Sequence, residues 1–246
     1  MRIATYNIHR AVGADGRQDA ARVARVLREI DADLVALQEV AYRTSQCGDL
    51  LQYLAQSLSA HVIEGATMKD ERGHYGNAVV TRWPVTTVDR LDISVPHREP
   101  RGAIEMALQV GGVGLQVIAT HLGLRPGERR QQIKTLLPRF EGTDADVRIL
   151  LGDLNEWFLW GRPLRWLRRI FGDAPAPATF PARCPRFALD RVWVDPQVVA
   201  TDIRVHASAT ARAASDHLPV IGELNLTAAP CARPMTPDHL PYDPPK

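Results

Sequence analysis

The sequence is poor in the features that would assign it to a specialised class. Its three cysteines, Cys47, Cys184 and Cys231, are scattered, odd in number and free of any Cys-x-x-Cys spacing. That argues against a disulfide framework and against a zinc site, and it points to a reducing compartment. Charge of one sign is scarce, with a formal net charge of +2, so phosphate-bearing partners are permitted and a broad polyanion-binding groove is not demanded. Apolar runs long enough to cross a bilayer are missing. So is the basic, apolar and small-residue order of a signal peptide, because a strand-like run follows Met1 at once. These absences lead to the expectation of a cytoplasmic protein. What is present is ordinary globular composition, 45% hydrophobic and 24% charged over 246 residues, enough to bury a substantial core.

Periodicity gives a mixed α/β order. RIATYNIHR reads as a first strand ending near Asn7 and His9, followed by a helix with Val23, Val26, Leu27 and Ile30 at helical spacing. Asp33 to Val40 is an apolar strand with Glu39 at its far end, and Leu50, Leu51, Leu54 and Leu58 mark a second helix. From Tyr75 the text turns β-rich, through YGNAVVTR, the Trp83-Pro84 turn and VTTVDRLDI. The hairpin Ile104–Val110 and Leu115–His121 follows, reversing at Gly111-Gly112-Val113-Gly114. A helix around Glu128 to Leu137 leads to RILLGDLNE. Strand candidates then cover Phe187–Val194, Val198–Val205 and Leu218–Leu226. One domain over residues 1–226 is expected. The remainder, 227–246, has proline at 230, 234, 237, 241, 244 and 245 and reads as a flexible tail. The early βα units and later hairpins predict two mixed sheets with helices outside.

Polar residues recur at the ends of these strands. In RILLGDLNE an apolar run, a glycine turn, Asp153 and Asn155 come in succession, so an acid and an amide leave the same strand end. Glu39 closes an apolar strand and needs solvent or a partner there, and as a metal ligand it would offer only oxygen to a hard cation. Asn7 and Asn77 are ordinary turn formers taken singly. His121 ends a hairpin strand, where a histidine is more often packed than catalytic. Asp190 lies inside FALDRVWV, where burial without a partner would cost several kcal/mol. His217, in Ser215-Asp216-His217, is a residue type that ordinarily titrates near neutrality and can move protons, and Asp190 on one ring nitrogen would fix the other as a base or phosphate ligand.

Taken in order, TYNIH (Thr5–His9), LQEV (Leu37–Val40), YGNAVVTR (Tyr75–Arg82), THL (Thr120–Leu122), GDLNE (Gly152–Glu156), LDRVWV (Leu189–Val194) and SDHLPV (Ser215–Val220) resemble the endonuclease/exonuclease/phosphatase superfamily of DNase I-like hydrolases. The resemblance covers Met1 to about Leu226. It implies a four-layer α/β/β/α sandwich and Mg²⁺- or Mn²⁺-dependent hydrolysis of phosphoester bonds. By that resemblance Glu39 is the main metal ligand, with Asn7 and Asp216 in support. Asp153 orients or deprotonates the attacking water, Asn155 holds a phosphoryl oxygen, and His121 and His217 contact the phosphate and assist proton transfer. Asp190 would orient His217, with Asn77 as a substrate or supporting contact. Whether Asp153 or His217 is the base stays open.

His9 stands where abasic-site endonucleases commonly carry an acid. The THL pattern is closer to the nuclease, sphingomyelinase and sugar- or lipid-phosphatase branches. A phosphodiesterase of nuclease or phospholipid type is therefore the expected activity. A phosphomonoesterase of a sugar or lipid phosphate, or a phosphate-binding module that has lost catalysis, are the alternatives. Completeness of the motif set favours the enzyme.

Trp157 to Phe171 holds three of the five tryptophans and four arginines. Helical projection from Pro163 puts Leu164, Trp166, Leu167, Ile170 and Phe171 on one arc and Arg165, Arg168 and Arg169 on the other. A surface helix with its apolar stripe on the sheet is the plainer expectation. A rim that meets a membrane surface or an extended polyanion is the sharper one. Arg98 and Arg101 would add positive charge on the substrate side.

Overall fold

The computed structural model describes residues 1–42, 50–70 and 73–229. Cys47, Cys231 and the proline-rich stretch from residue 230 lie outside them, and Cys184 is an exposed free thiol. In chain order the first half runs β1 (Arg2–Asn7), α1 (Ala20–Ile30), β2 (Leu34–Tyr42), α2 (Leu50–Leu58), β3 (His61–Asp70), β4 (Gly73–Thr81) and β5 (Val85–Asp92). The second half runs β6 (Gly102–Val110), β7 (Val113–His121), α3 (Pro126–Glu141), β8 (Val147–Asp153), α4 (Arg162–Phe171), β9 (Asp190–Asp195), β10 (Ala200–Val205), α5 (Ala209–Ala214) and β11 (Val220–Leu224).

The strands form two sheets, ordered β10-β11-β1-β2-β4-β3 and β5-β6-β7-β8-β9. Each is mixed, and each has one parallel pair joined by a helix: β1-α1-β2 in the first and β7-α3-β8 in the second. Because a strand alternates its side chains between faces, the apolar strands each serve two cores. Ile3, Leu34 and Ala36 of the first sheet meet Val117, Ile149 and Leu151 of the second in a core between the sheets. The opposite faces carry Tyr6, Val35 and Leu37 against Val23, Leu27 and Leu54 of the first helices. On the other side, Ile118 and Leu150 pack against Ile133, Leu136 and Leu167 of α3 and α4. Helix, sheet, sheet and helix are thus stacked as four layers, and both faces of the central strands are apolar for that reason.

Several elements differ from the sequence expectation. β3, which was not foreseen, is an edge strand whose one partner among the described residues is β4, and its half-buried residues lack the apolar run of a central strand. α5 was missed too; its six residues are too short to show helical periodicity. The expected strand from Phe187 begins only at Asp190, since Phe187 makes an isolated bridge to Phe180 instead. Those from Val198 and Leu218 contract to Ala200–Val205 and Val220–Leu224, because Gln197–Val199 and Leu226–Ala228 close into short 3-10 turns. Among the described residues no helix is long and apolar enough to cross a membrane.

Candidate active site

The two parallel βαβ units deliver their polar residues to one end of the sandwich. Asn7 ends β1, His121 and Asp153 end β7 and β8, and Glu39 lies near the end of β2. In β2 the register against β4 shifts between Leu37 and Val40, and Glu39 within that bulge has φ 56°. A bulge of this kind re-aims a side chain, and Glu39 lines the cleft. In β8 the device is Gly152, with φ 150°, where a Cβ would come within 1.9 Å of the Thr120 carbonyl oxygen. Only glycine fits there. Asn155, at φ 49°, completes the turn that brings Asp153 and Asn155 together.

Asp153 is the hub. It is 1% exposed; Oδ1 accepts from the Asn155 backbone N–H at 2.8 Å, and Oδ2 accepts from Asn7 Nδ2 at 3.1 Å. The same Asn7 nitrogen donates to Glu39 Oε1 at 3.1 Å, so one amide joins the two carboxylates. His121 Nε2 stands 3.5 Å and His217 Nε2 3.8 Å from Asp153 Oδ2. The surrounding cleft, about 490 Å³, is lined by Glu39, Asp153, Asn155, His121, His217, Arg101 and His9.

The two imidazoles are held in opposite states. His121 has the Asn155 amide nitrogen 3.0 Å from Nε2 and Arg101 Nη1 3.5 Å from Nδ1, two donors that disfavour a ring bearing protons on both nitrogens. Burial, outweighing the attraction of Asp153, brings its pKa down to about 3, so it is neutral at neutral pH. His217 Nδ1 lies 2.8 Å from Asp190 Oδ2, which also accepts from Thr179 Oγ1 at 2.5 Å. Asp190 is fully buried, and its Oδ1 has no partner among the described residues. Burial opposes charge on His217. Asp190, through its charge and hydrogen bond, and then Asp153 and Asp216 together overcome that, and the pKa rises to about 10. His217 is an imidazolium whose Nε2 faces Asp153.

Asn77 and Asp216 stand apart from this group. Asn77 Nδ2 donates to the Gly102 carbonyl at 2.9 Å and so staples β4 to β6 across the two sheets. Asp216 is half-exposed, 3.8 Å from His9 Nδ1. The backbone N–H of His9 donates to Asn7 Oδ1 at 3.0 Å, which positions the Asn7 amide. Trp157, singled out in the sequence, shares the apolar wall of the cleft with Leu124, Phe180 and Leu189. Sequence reasoning missed those three, Glu99, Thr179 and Arg10, which stacks over the Tyr75 ring at 4.6 Å. None of these has a local signal, since each contact joins distant parts of the chain. Ser215 was read only as part of a polar loop. Its hydroxyl donates to the Asn7 carbonyl at 2.7 Å and accepts from the His217 N–H at 3.2 Å, tying the histidine loop to β1.

A profile of the Endonuclease/Exonuclease/phosphatase family matches residues 4–217. The chain belongs to this family. The uncharacterized protein YbhP of Escherichia coli strain K12 is 30% identical over 245 residues, covering 92% of this chain and 96% of that protein. An endonuclease/exonuclease/phosphatase of Beutenbergia cavernae superposes with a TM-score of 0.73 at 25% identity, over 94% of this chain and 73% of that one. The Bacteroides thetaiotaomicron mannosyl-6-phosphatase Bt3783 does so with a TM-score of 0.72 at 17% identity, over 92% and 99% of the two chains. The family's members hydrolyse phosphoester bonds, and its DNase I-like sandwich is the fold described above.

Two donor sets are candidates for a divalent ion. Asp153, Asp190 and His217 each bring a ligand atom within 4.8 Å of the others, a group that could hold a metal. In that set Asp190 Oδ2 accepts two hydrogen bonds and the protonated His217 ring has no free lone pair, which leaves Asp153 and Asp190 Oδ1 as its available donors. Glu39 and Asp153 instead present two carboxylates to the cleft with only an amide between them. All-oxygen donors that carry negative charge are what a hard cation prefers.

Proposed function

We propose that the protein is a Mg²⁺- or Mn²⁺-dependent phosphodiesterase whose metal is held by Glu39 and Asp153, with Asn7 between them. The observation that carries this reading is the convergence on Asp153 of Asn7, Asn155, His121 and His217, beside Glu39 in one cleft. A divalent ion bound there supplies charge neutralisation at the phosphoryl oxygens. The chain's own groups do the rest. Asp153 orients the attacking water and takes its proton. His217, kept protonated by Asp190, donates from Nε2 toward the phosphoryl or leaving oxygen. Neutral His121 and the Leu122 carbonyl both accept from Asn155 Nδ2 and so hold that residue, whose backbone N–H in turn orients Asp153, and Arg101, paired through its terminal nitrogens with Glu99, lines the cleft beside them.

A diester is favoured over a monoester by the composition of the cleft. The apolar wall of Leu124, Trp157, Phe180 and Leu189 offers room for a second ester substituent, which a monoester does not have. The test compares an aryl phosphodiester with an aryl phosphomonoester after chelation and metal return. Restored turnover, greater on the diester, is expected. Asp153→Asn or His217→Ala should lower kcat by about 10²–10⁴-fold. Turnover indifferent to excess chelator would refute the metal assignment.

A further inference from the structure

Trp157 to Phe171 divides into two surfaces of different kind. In α4, Leu164, Trp166, Leu167 and Phe171 are buried in the core beneath the helix, so the apolar arc of the helix is already covered. The four residues ahead of it are not. Trp157, Phe158, Leu159 and Trp160 are 40%, 51%, 49% and 70% exposed, an apolar run of a kind that monomeric surfaces seldom display. The loop is also built rather than loose. Glu156 at its base pairs with Arg129 through 3.1 and 3.2 Å contacts, both side chains buried. Trp157 packs edge-on against Phe180 and Phe187 at 5.9 and 4.8 Å, the Gly161 N–H closes the turn onto the Phe158 carbonyl at 2.9 Å, and Arg168 holds the Leu159 carbonyl at 3.0 Å.

This surface is continuous with the cleft. Trp157 and Leu124, the latter 62% exposed, line the cleft wall, and the apolar strip runs from there to the loop tip. Arg162, Arg165 and Arg169 of α4 are exposed beside it, and none has an acidic partner among the described residues. Tryptophan and leucine at a tip with arginines behind it match a lipid–water interface, where aromatic rings sit at the headgroup level and guanidinium groups meet anionic lipid. A nucleic-acid strand would need a line of cations leading along the cleft, and among its lining residues Arg10 and Arg101 alone carry guanidinium groups.

We propose that Trp157–Trp160 is a membrane-docking loop that seats the mouth of the cleft on an anionic lipid surface, and that the substrate is an amphiphilic phosphodiester taken from that surface. The substrate half rests on the phosphodiesterase reading; the docking half rests on the loop alone. The test uses the full chain with vesicles of phosphatidylcholine, with and without phosphatidylglycerol, and the variants Phe158→Ser/Trp160→Ser and Arg165→Ala/Arg169→Ala. Binding should require phosphatidylglycerol and fall by about tenfold or more in both variants, while turnover of a soluble aryl phosphodiester stays at the parental level. Brominated lipid should quench the fluorescence of the unaltered protein, a readout independent of any substitution. Equal vesicle binding by both variants, or no quenching, overturns the docking loop. Loss of a dimer in the loop variant without vesicle binding by the parent overturns it in favour of a second copy as the occupant. Vesicle binding with turnover of soluble diester but no phospholipid hydrolysis overturns the substrate half alone. Absence of any diester turnover sinks the catalytic reading, and vesicle binding still decides the docking loop.

Discussion

Asp190 and His217 form a buried charge pair whose consequences can be measured without substrate. A histidine raised to about 10 contributes stability that is fully present below its unfolded value near 6.5 and is lost as pH rises through about 10. Asp190→Asn should therefore destabilise the metal-free protein by roughly 3–5 kcal/mol at neutral pH. Thermal unfolding from pH 6 to 10.5 should show the gap from wild type closing as the pH approaches 10.5. His121 has the opposite sign. With its pKa brought down to about 3, its contribution is complete above pH 6.5 and is lost as pH falls toward 3. It should add a slope of up to about 1.4 kcal/mol per pH unit between pH 6 and 5, and His121→Gln should flatten the unfolding curve in that interval. Asn77 belongs to the same scale. Its bond to Gly102 across the sheets predicts that Asn77→Ala lowers stability by about 1–3 kcal/mol and leaves KM for the diester little changed. A rise in KM without loss of stability would return Asn77 to the substrate.

At the scale of elements, function depends on how two strands end. Gly152 lets β8 pass the Thr120 carbonyl and still turn Asp153 inward. Gly152→Ala should therefore reduce turnover by at least about 10²-fold and lower the unfolding temperature, because a Cβ there forces β8 away from β7. The glycine, Asp153 and Asn155 were legible in RILLGDLNE, where an apolar run stops abruptly at polar residues. The bulge at Glu39 was not, since the sequence LVALQEVAY carries no glycine or proline to announce it and its cause is pairing with β4. The helical stripe of α4 was read correctly from its spacing, while the exposure of the four residues before it became visible only when the helix had used its own apolar arc. β3 stayed hidden for a related reason: an edge strand with one neighbour does not need the apolar run that reveals a central one.

At the scale of the molecule, two βαβ units face each other through a shared core, and their strands run so that the polar ends coincide. The sequence made the units legible because continuous apolar strands alternate with helical spacing. It could not, by periodicity alone, say that β1 and β8 point their ends at one another, which depends on how one sheet lies over the other. Residue pairs such as Arg10 with Tyr75 and Thr179 with Asp190 are products of that superposition. The joining of Glu39 to Asp153 through one amide is its chemical outcome. Calorimetric titration of Mn²⁺ into metal-stripped protein tests this most directly. Binding is predicted to be abolished by Glu39→Gln and retained by His217→Ala. Binding that survives Glu39→Gln and disappears in His217→Ala would put the ion among Asp153, Asp190 and His217 instead and contradict the account.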